Sequence, residues 1–163
     1  MADEQKKKKV SMVVFSGDMD KLIAAFLIAT GSAAANFEVT MFFTFWGLKA
    51  LQKKGVSTGK GFFQRMLGII NGGDISKTNP SRYGFGGLGR WMFKKMMKAK
   101  NVPSLTELRQ LALDLGVRLY GCQMTMDVMG ITRDKMIETG VTDCVGVAFF
   151  IEQASQSAFT LFI

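Results

Sequence analysis

Short runs of β-branched and aromatic residues alternate with segments of helical character, and this alternation restricts the fold more than any other feature of the chain. Val10 to Phe15 (VSMVVF) has the composition of a buried strand, and Met19 to Ala35 that of an alanine-rich helix. Phe37 to Thr44 (FEVTMFFT) is a second strand. Phe45 to Lys54 is a short helix with lysines in its last turn, where they complement the dipole, and Gly55 stops it. Strand–helix–strand–helix is the order of a parallel sheet covered on both faces. Regular structure resumes at Ser104, which with Glu107 makes a capping-box signature, in a helix running to about Leu115. Three more strands are expected near 117–122, 144–149 and 158–162, with short helices over 133–138 and 150–157. The last strand (AFTLFI) is expected to be buried. The fold class is therefore α/β, a three-layer sandwich with a five-stranded, mostly parallel sheet and helices on both faces.

Length and charge set the organisation. With 163 residues the chain can build one domain with a full core, here residues 10–163 behind a polar, lysine-rich tail of residues 1–9 expected to be disordered. The hydrophobic share is 48% and the mean hydropathy +0.17, an apolar balance that suggests extra buried surface of the kind an oligomer provides. Between Lys49 and Lys100 there are 12 basic residues and one acid, Asp74, a net of +11; the rest of the chain carries nine basic and 12 acidic residues, a net of −3. The positive excess thus sits in one segment. It coincides with a glycine- and methionine-rich insertion at about 55–103 that interrupts the α/β pattern. A short helix is expected at 62–70, turns at 71–74 and 78–81, and a glycine hinge at 84–89.

An amphipathic helix fits Leu88 to Lys98. Arg90, Lys94 and Lys98 recur every four residues on one face, and Leu88, Trp91, Met92 and Met96 fall on another. A charge run of this kind is usually a solvated face. The aromatics beside it make Arg90, Trp91, Lys94, Lys95 and Lys98 candidates for contact with a partner or subunit first and a membrane surface second. Nucleic acid is not expected, because no recognisable binding motif accompanies the charge.

The chemistry has few carriers. Histidine is absent, which removes Ser-His-Asp and Cys-His catalysis and the commonest metal ligand. Two cysteines, Cys122 and Cys144, make neither a disulfide framework nor a zinc site. No secretory signal is evident, and the longest uncharged run, 22–37, falls short of the roughly 20 apolar residues needed to span a bilayer. A cytoplasmic protein with reduced thiols, free or peripheral at a membrane, is expected.

The stretch VRLYGCQMTMDVMGI (117–131) places Cys122 where a strand ends and a helix begins. The rim of an open parallel sheet is where such folds bind ligands, and a helix start favours a thiolate. Cys122 is accordingly the candidate nucleophile, against the ordinary reading of a free cysteine as a small buried hydrophobe. Gly121, Gln123 and Met124 are candidates for a surrounding substrate pocket, although methionines at helical spacing are more often core filler. Ser16 and Gly17 are further candidates, since Ser16-Gly17-Asp18 precedes a helix; Asp18 and Asp20 repel anions, so an ordinary capped turn competes. Cys144 is either a resolving partner or a buried structural residue. Covalent thiol chemistry needs no metal and no organic cofactor, and none is expected.

FSGDMDKLIAAFLIATGSAAA after the first strand, FEVTMFFTFWGLKAL, the glycine- and methionine-rich middle, YGCQMTMDVMGI and GVAFFIEQA together resemble the DsrE/DsrF-like family of small sulfur-transfer proteins, in the subgroup with a long central insertion. The resemblance covers almost everything beyond the lysine tail. It implies a five-stranded parallel sheet, assembly into homo-oligomers (trimers or hexamers), and a cysteine that carries sulfur as a persulfide. Cys122 alone matches the motif residue for that role. A cytoplasmic sulfur carrier or sulfurtransferase passing sulfur to a small sulfur-carrier protein or another thiol acceptor is then the expectation. A non-catalytic oligomeric binding module and a membrane-surface protein acting through the basic helix are the competing ones.

Overall fold

A computed structural model describes residues 7–54, 61, 62, 66, 73–137 and 140–163. Five strands, β1 (Lys9–Val14), β2 (Glu38–Phe43), β3 (Arg118–Cys122), β4 (Val141–Val145) and β5 (Phe159–Phe162), form one sheet in the order β4-β3-β2-β1-β5. Every neighbouring pair is parallel. The chain steps outward from β1 to β4 and then returns to place β5 on the other side of β1.

Alternation in the central strands assigns the faces. Val10, Met12 and Val14 of β1 and Val39, Met41 and Phe43 of β2 point into the larger core. That core is closed by α1 (Met19–Ala34), by α3 (Leu105–Asp114) and by a 3-10 helix, Phe45–Leu51. Phe42 and Tyr120 point the other way, into a smaller cluster closed by α5 (Val147–Ser155). The two layers of helix around one sheet make the expected sandwich. Central strands so placed are apolar on both sides, which is why they read as continuous hydrophobic runs.

The expected capping box is present: Glu107 N donates to Ser104 Oγ, and Ser104 N donates to the Glu107 carboxylate at 2.7 Å. The segment after β2 winds as a tighter 3-10 helix because it must cross the end of β1. Gly47 N donates to Phe15 O at 2.8 Å, and a Cβ on Gly47 would lie 2.1 Å from Val14 O, so only glycine allows the approach.

Two expectations need correction. The fourth strand lies at 141–145 rather than 144–149, and Gly146, in extended conformation, already caps α5. Val147 to Phe150 are β-formers in isolation, yet they make the first turn of a helix whose inner residues cover the sheet. The last strand is not buried; β5 is a sheet edge paired only with β1, and its residues are mostly exposed. An apolar strand at an edge reads like one in the centre. Over the expected glycine hinge at 84–89, a 3-10 turn, Phe85–Gly87, meets α2 (Leu88–Ala99) across a kink, with Gly86 and Gly87 at positive φ. The helix and turn expected over 62–74 lie largely outside the described residues, as does most of the tail, although Lys9 itself opens β1.

Candidate functional site

Cys122 is the last residue of β3 and the N-cap residue of α4 (Gln123–Met129). Its neighbours in the strand divide the work. Gly121 faces the larger core, where a Cβ would come within 3.2 Å of Met136 Cε, so this glycine makes room for packing. Tyr120 and Cys122 face the smaller cluster with Phe42 and Phe150. Gly130, at φ 67, closes α4 in the left-handed conformation.

The sulfur is not in the open. Cys122 is 4% exposed, beneath a cover supplied by α5. The phenyl ring of Phe150 stacks on Phe42 with centroids 5.5 Å apart, and Phe149 lies against Tyr120 at 4.5 Å. Phe149 and Val145 are only partly buried where they pack against this cluster. Strand end and helix start are both beside the sulfur, as the sequence suggested; exposure is decided by α5, which sequence reading had broken into a strand and a later helix.

The base of α4 is pinned by a contact that the sequence did not announce. Thr125 and Thr44 are both buried, and their hydroxyls lie 2.9 Å apart. The pair joins the end of β2 to the first turn of α4 and so fixes the backbone that carries Cys122. Two threonines at a strand end and a helix start were the available signal.

Of the other pocket candidates, Gln123 is exposed and donates to Asp127 Oδ1 at 2.8 Å within α4, and Met124 projects outward. Ser16 and Gly17 share the C-terminal rim of the sheet, but they follow β1, with β2 lying between them and the Cys122 strand. Ser16 Oγ donates to Asp18 Oδ2 at 2.9 Å and accepts from Asp18 N, and a Cβ on Gly17 would lie 2.6 Å from Trp46 O. This is a closed turn. The reversal of strand order between β1 and β5, where open sheets usually bind ligands, is filled by aromatic rings: Phe15 stands 5.3 Å from Phe45 and 5.8 Å from Phe162. Cys122 lies on the rim two strands away from that reversal.

Cys144 is adjacent in the sheet but separate in chemistry. It pairs in register with Gly121, while Cys122 pairs with Val145. The Cys144 side chain packs on the larger core and that of Cys122 in the smaller cluster, so the two thiols project from opposite faces. Arg133 Nη1 lies 3.4 Å from Cys144 Sγ, while Nη2 donates to Val141 O at 2.8 Å. Among the described residues no group of three His, Cys, Asp or Glu side chains is placed to hold a metal ion.

In the basic segment, Asp74 is buried and its Oδ1 accepts from Ser76 N at 2.9 Å. Burial pushes the Lys49 ammonium below its ordinary range and Arg90 adds to the effect, against the attraction of Asp74. Arg90 and Lys94 bridge α2 to the 75–77 turn at the surface: Arg90 Nη1 donates to Lys77 O and Lys94 Nζ to Ser76 O.

The chain matches the model of the DsrE/DsrF/DrsH-like family over residues 6–162. It is 39% identical over 160 residues to the uncharacterized protein YrkE of Bacillus subtilis (strain 168), covering 98% of this chain and 99% of that one. It is 32% identical over 161 residues to the sulfur carrier protein DsrE2 of Allochromatium vinosum, covering 96% and 99%. Two solved structures share the fold: the ychN protein of E. coli, with TM-score 0.55 at 10% identity over 96% of this chain and 99% of that one, and MTH1491 of Methanobacterium thermoautotrophicum, with TM-score 0.54 at 13% identity over 95% and 99%.

Proposed function

Because the chain belongs to the DsrE/DsrF/DrsH-like family, we propose that it is a sulfur carrier in which Cys122 holds sulfane sulfur as a persulfide and passes it to a partner thiol. The observation that carries this reading is the position of Cys122 at the sheet rim, fixed by the Thr44–Thr125 contact and covered by a single helix. In the loading step the Cys122 thiolate attacks the outer sulfur of a persulfide donor. A new S–S bond forms, the donor S–S bond breaks, and the donor leaves as a thiolate. In unloading, an acceptor thiolate attacks the outer sulfur and Cys122 leaves as thiolate. No electrons are gained or lost overall, so the chain's own residues suffice. Because Cys122 is buried in the cluster closed by α5, α5 must give way for donor and acceptor to reach the sulfur.

The acceptor in this reading is a small sulfur-carrier protein or another protein thiol. Self-association accompanies it: Val147 and Ile151 on the outer side of α5 and Phe162 on the β5 edge leave an apolar surface exposed, which supports a trimer or hexamer. Native mass spectrometry tests that assembly directly.

Intact-mass analysis after incubation with thiosulfate, polysulfide or a persulfide donor tests the carrier role. The wild-type chain should gain the mass of one sulfur atom, and Cys122→Ser should gain none. A second reading has an observation in its favour: the burial of Cys122 suits an inert residue in an oligomeric binding module. In that case Cys122 resists both alkylation and sulfur loading in the folded protein.

A further inference from the structure

Helix α2 sits on the domain through half-buried Arg90, Phe93 and Met97 and leaves an apolar arc outward. Two cations tether it at the surface, with Arg90 Nη1 donating to Lys77 O at 2.6 Å and Lys94 Nζ to Ser76 O at 2.5 Å. No residue of the helix is buried. The opposite arc carries Leu88, Trp91, Met92 and Met96, all more than half exposed, with Trp91 at 60% and Met96 at 63%. Tyr83 and Phe85, stacked on each other at 6.2 Å just before the helix, extend the same apolar surface. An apolar groove of about 540 Å³ between Pro80–Phe85 and α2 continues it. A single exposed leucine needs no explanation, but contiguous large apolar groups of this number mark a contact surface.

Along α2 the rim of that surface is basic, and the one acid that lines the groove, Asp20, is engaged by the Ser81 hydroxyl and Ser81 N. Lys95 lies over the Trp91 ring at 5.2 Å, Lys98 and Lys100 follow it, and there is no acidic residue anywhere between Asp74 and Glu107. Two copies brought together through this face would set Lys95, Lys98 and Lys100 of one against the same lysines of the other, with Asp20 as the one acid lining the groove. An anionic bilayer instead offers negative charge at the rim and hydrocarbon at the centre. A helix of 12 residues is roughly 18 Å long, so it suits lying in the interface and not crossing it. No helix among the described residues is long and apolar enough to cross a membrane.

We propose that α2 is an interfacial anchor for an anionic lipid surface. Leu88, Trp91, Met92 and Met96 enter the boundary between headgroups and acyl chains; Lys95, Lys98 and Lys100 meet the lipid phosphates; and Arg90 and Lys94 are the tethers that hold the apolar arc outward. The indole suits this depth because it is apolar in body and polar at its N–H. The surface is independent of Cys122 and would operate whether or not that residue carries sulfur.

The experiment is co-sedimentation of the full chain with vesicles of phosphatidylcholine alone and of phosphatidylcholine mixed with phosphatidylglycerol. It is paired with Trp91 fluorescence in a Trp46→Phe background and quenching by bromine-labelled acyl chains. The wild-type chain should pellet with the anionic vesicles only, and Trp91 should shift to the blue and be quenched. Leu88→Ser/Trp91→Ser/Met96→Ser should abolish pelleting. Lys95→Glu/Lys98→Glu should weaken it on the order of tenfold or more, with loss of binding at high salt. The altered side chains are exposed, and an unchanged circular dichroism spectrum with unchanged Cys122 alkylation shows that each variant is folded. The proposal is overturned by absence of pelleting, by anionic binding without Trp91 quenching, or by wild-type binding in the serine variant. Concentration-dependent self-association that the serine variant loses, without vesicle binding, would assign the face to a second copy instead.

Discussion

The hydroxyls of Thr44 and Thr125 meet at 2.9 Å inside the protein, joining the end of β2 to the helix that begins after Cys122. Removing one of them leaves the other buried without its partner. Thr125→Val should therefore cost about 2 kcal/mol, whereas Thr44→Val/Thr125→Val should be much less damaging than the sum of the two single changes. Urea unfolding of the four proteins in the cycle measures this. The single variants should also load sulfur on Cys122 more slowly, because the backbone that aims the thiol is released.

Cys122 and Cys144 stand on neighbouring strands with their side chains on opposite faces. Forming a disulfide between them would require one strand to turn over, since the Cβ vectors point apart. Treatment of the native chain with diamide should give no Cys122–Cys144 cross-link in a non-reducing peptide map. Cys144→Ala should leave sulfur loading at Cys122 unchanged. A native intrachain cross-link would show that the sheet opens at β4.

Phe149 is the partly buried aromatic of α5 that packs against the Cys122 cluster. Its ring rests on Tyr120 at 4.5 Å and is only partly buried, so truncation loosens the packing of α5 on this cluster with a moderate loss of about 2 kcal/mol. Phe149→Ala should speed alkylation of Cys122 by about tenfold or more, because ~1.4 kcal/mol off a local opening is a tenfold change in the open population. Timed iodoacetamide labelling followed by mass analysis reads the rate. Phe150→Ala should be the more destabilising of the two, since that ring is buried against Phe42.

Asp20 makes the attachment of the 79–81 loop to α1 depend on pH. Burial pushes its carboxyl up, but hydrogen bonds from the Ser81 hydroxyl and from Ser81 N outweigh this and hold it below its ordinary value. A carboxyl depressed in the folded state binds its proton more readily when unfolded. Its contribution is then complete above the unfolded value and is lost as pH falls through the folded one. Thermal unfolding as a function of pH should show this acid-side loss in the wild-type chain and a shallower slope in Asp20→Asn.

Much of the architecture was legible along the chain. The runs at Val10, Val39 and Leu119 are apolar in consecutive positions because central parallel strands are covered on both faces, and that pattern needs no tertiary information to read. The capping box at Ser104 was legible for a similar reason, since its two hydrogen bonds are made within three residues. The junction at Cys122 likewise follows from a strand ending in glycine before a helical run.

What the sequence alone determined was thus whatever neighbouring residues decide among themselves: strand and helix type, the caps, and the position of one cysteine between a strand and a helix. Only the tertiary structure decided which strand became an edge and which way each thiol faces. It also decided that α5 covers Cys122 and that α2 ties Arg90 and Lys94 to the domain and turns its tryptophan outward. Those outcomes depend on contacts between segments far apart in the chain, such as Phe150 with Phe42 and Arg90 with Lys77 O, and an edge or a lid has no local signature.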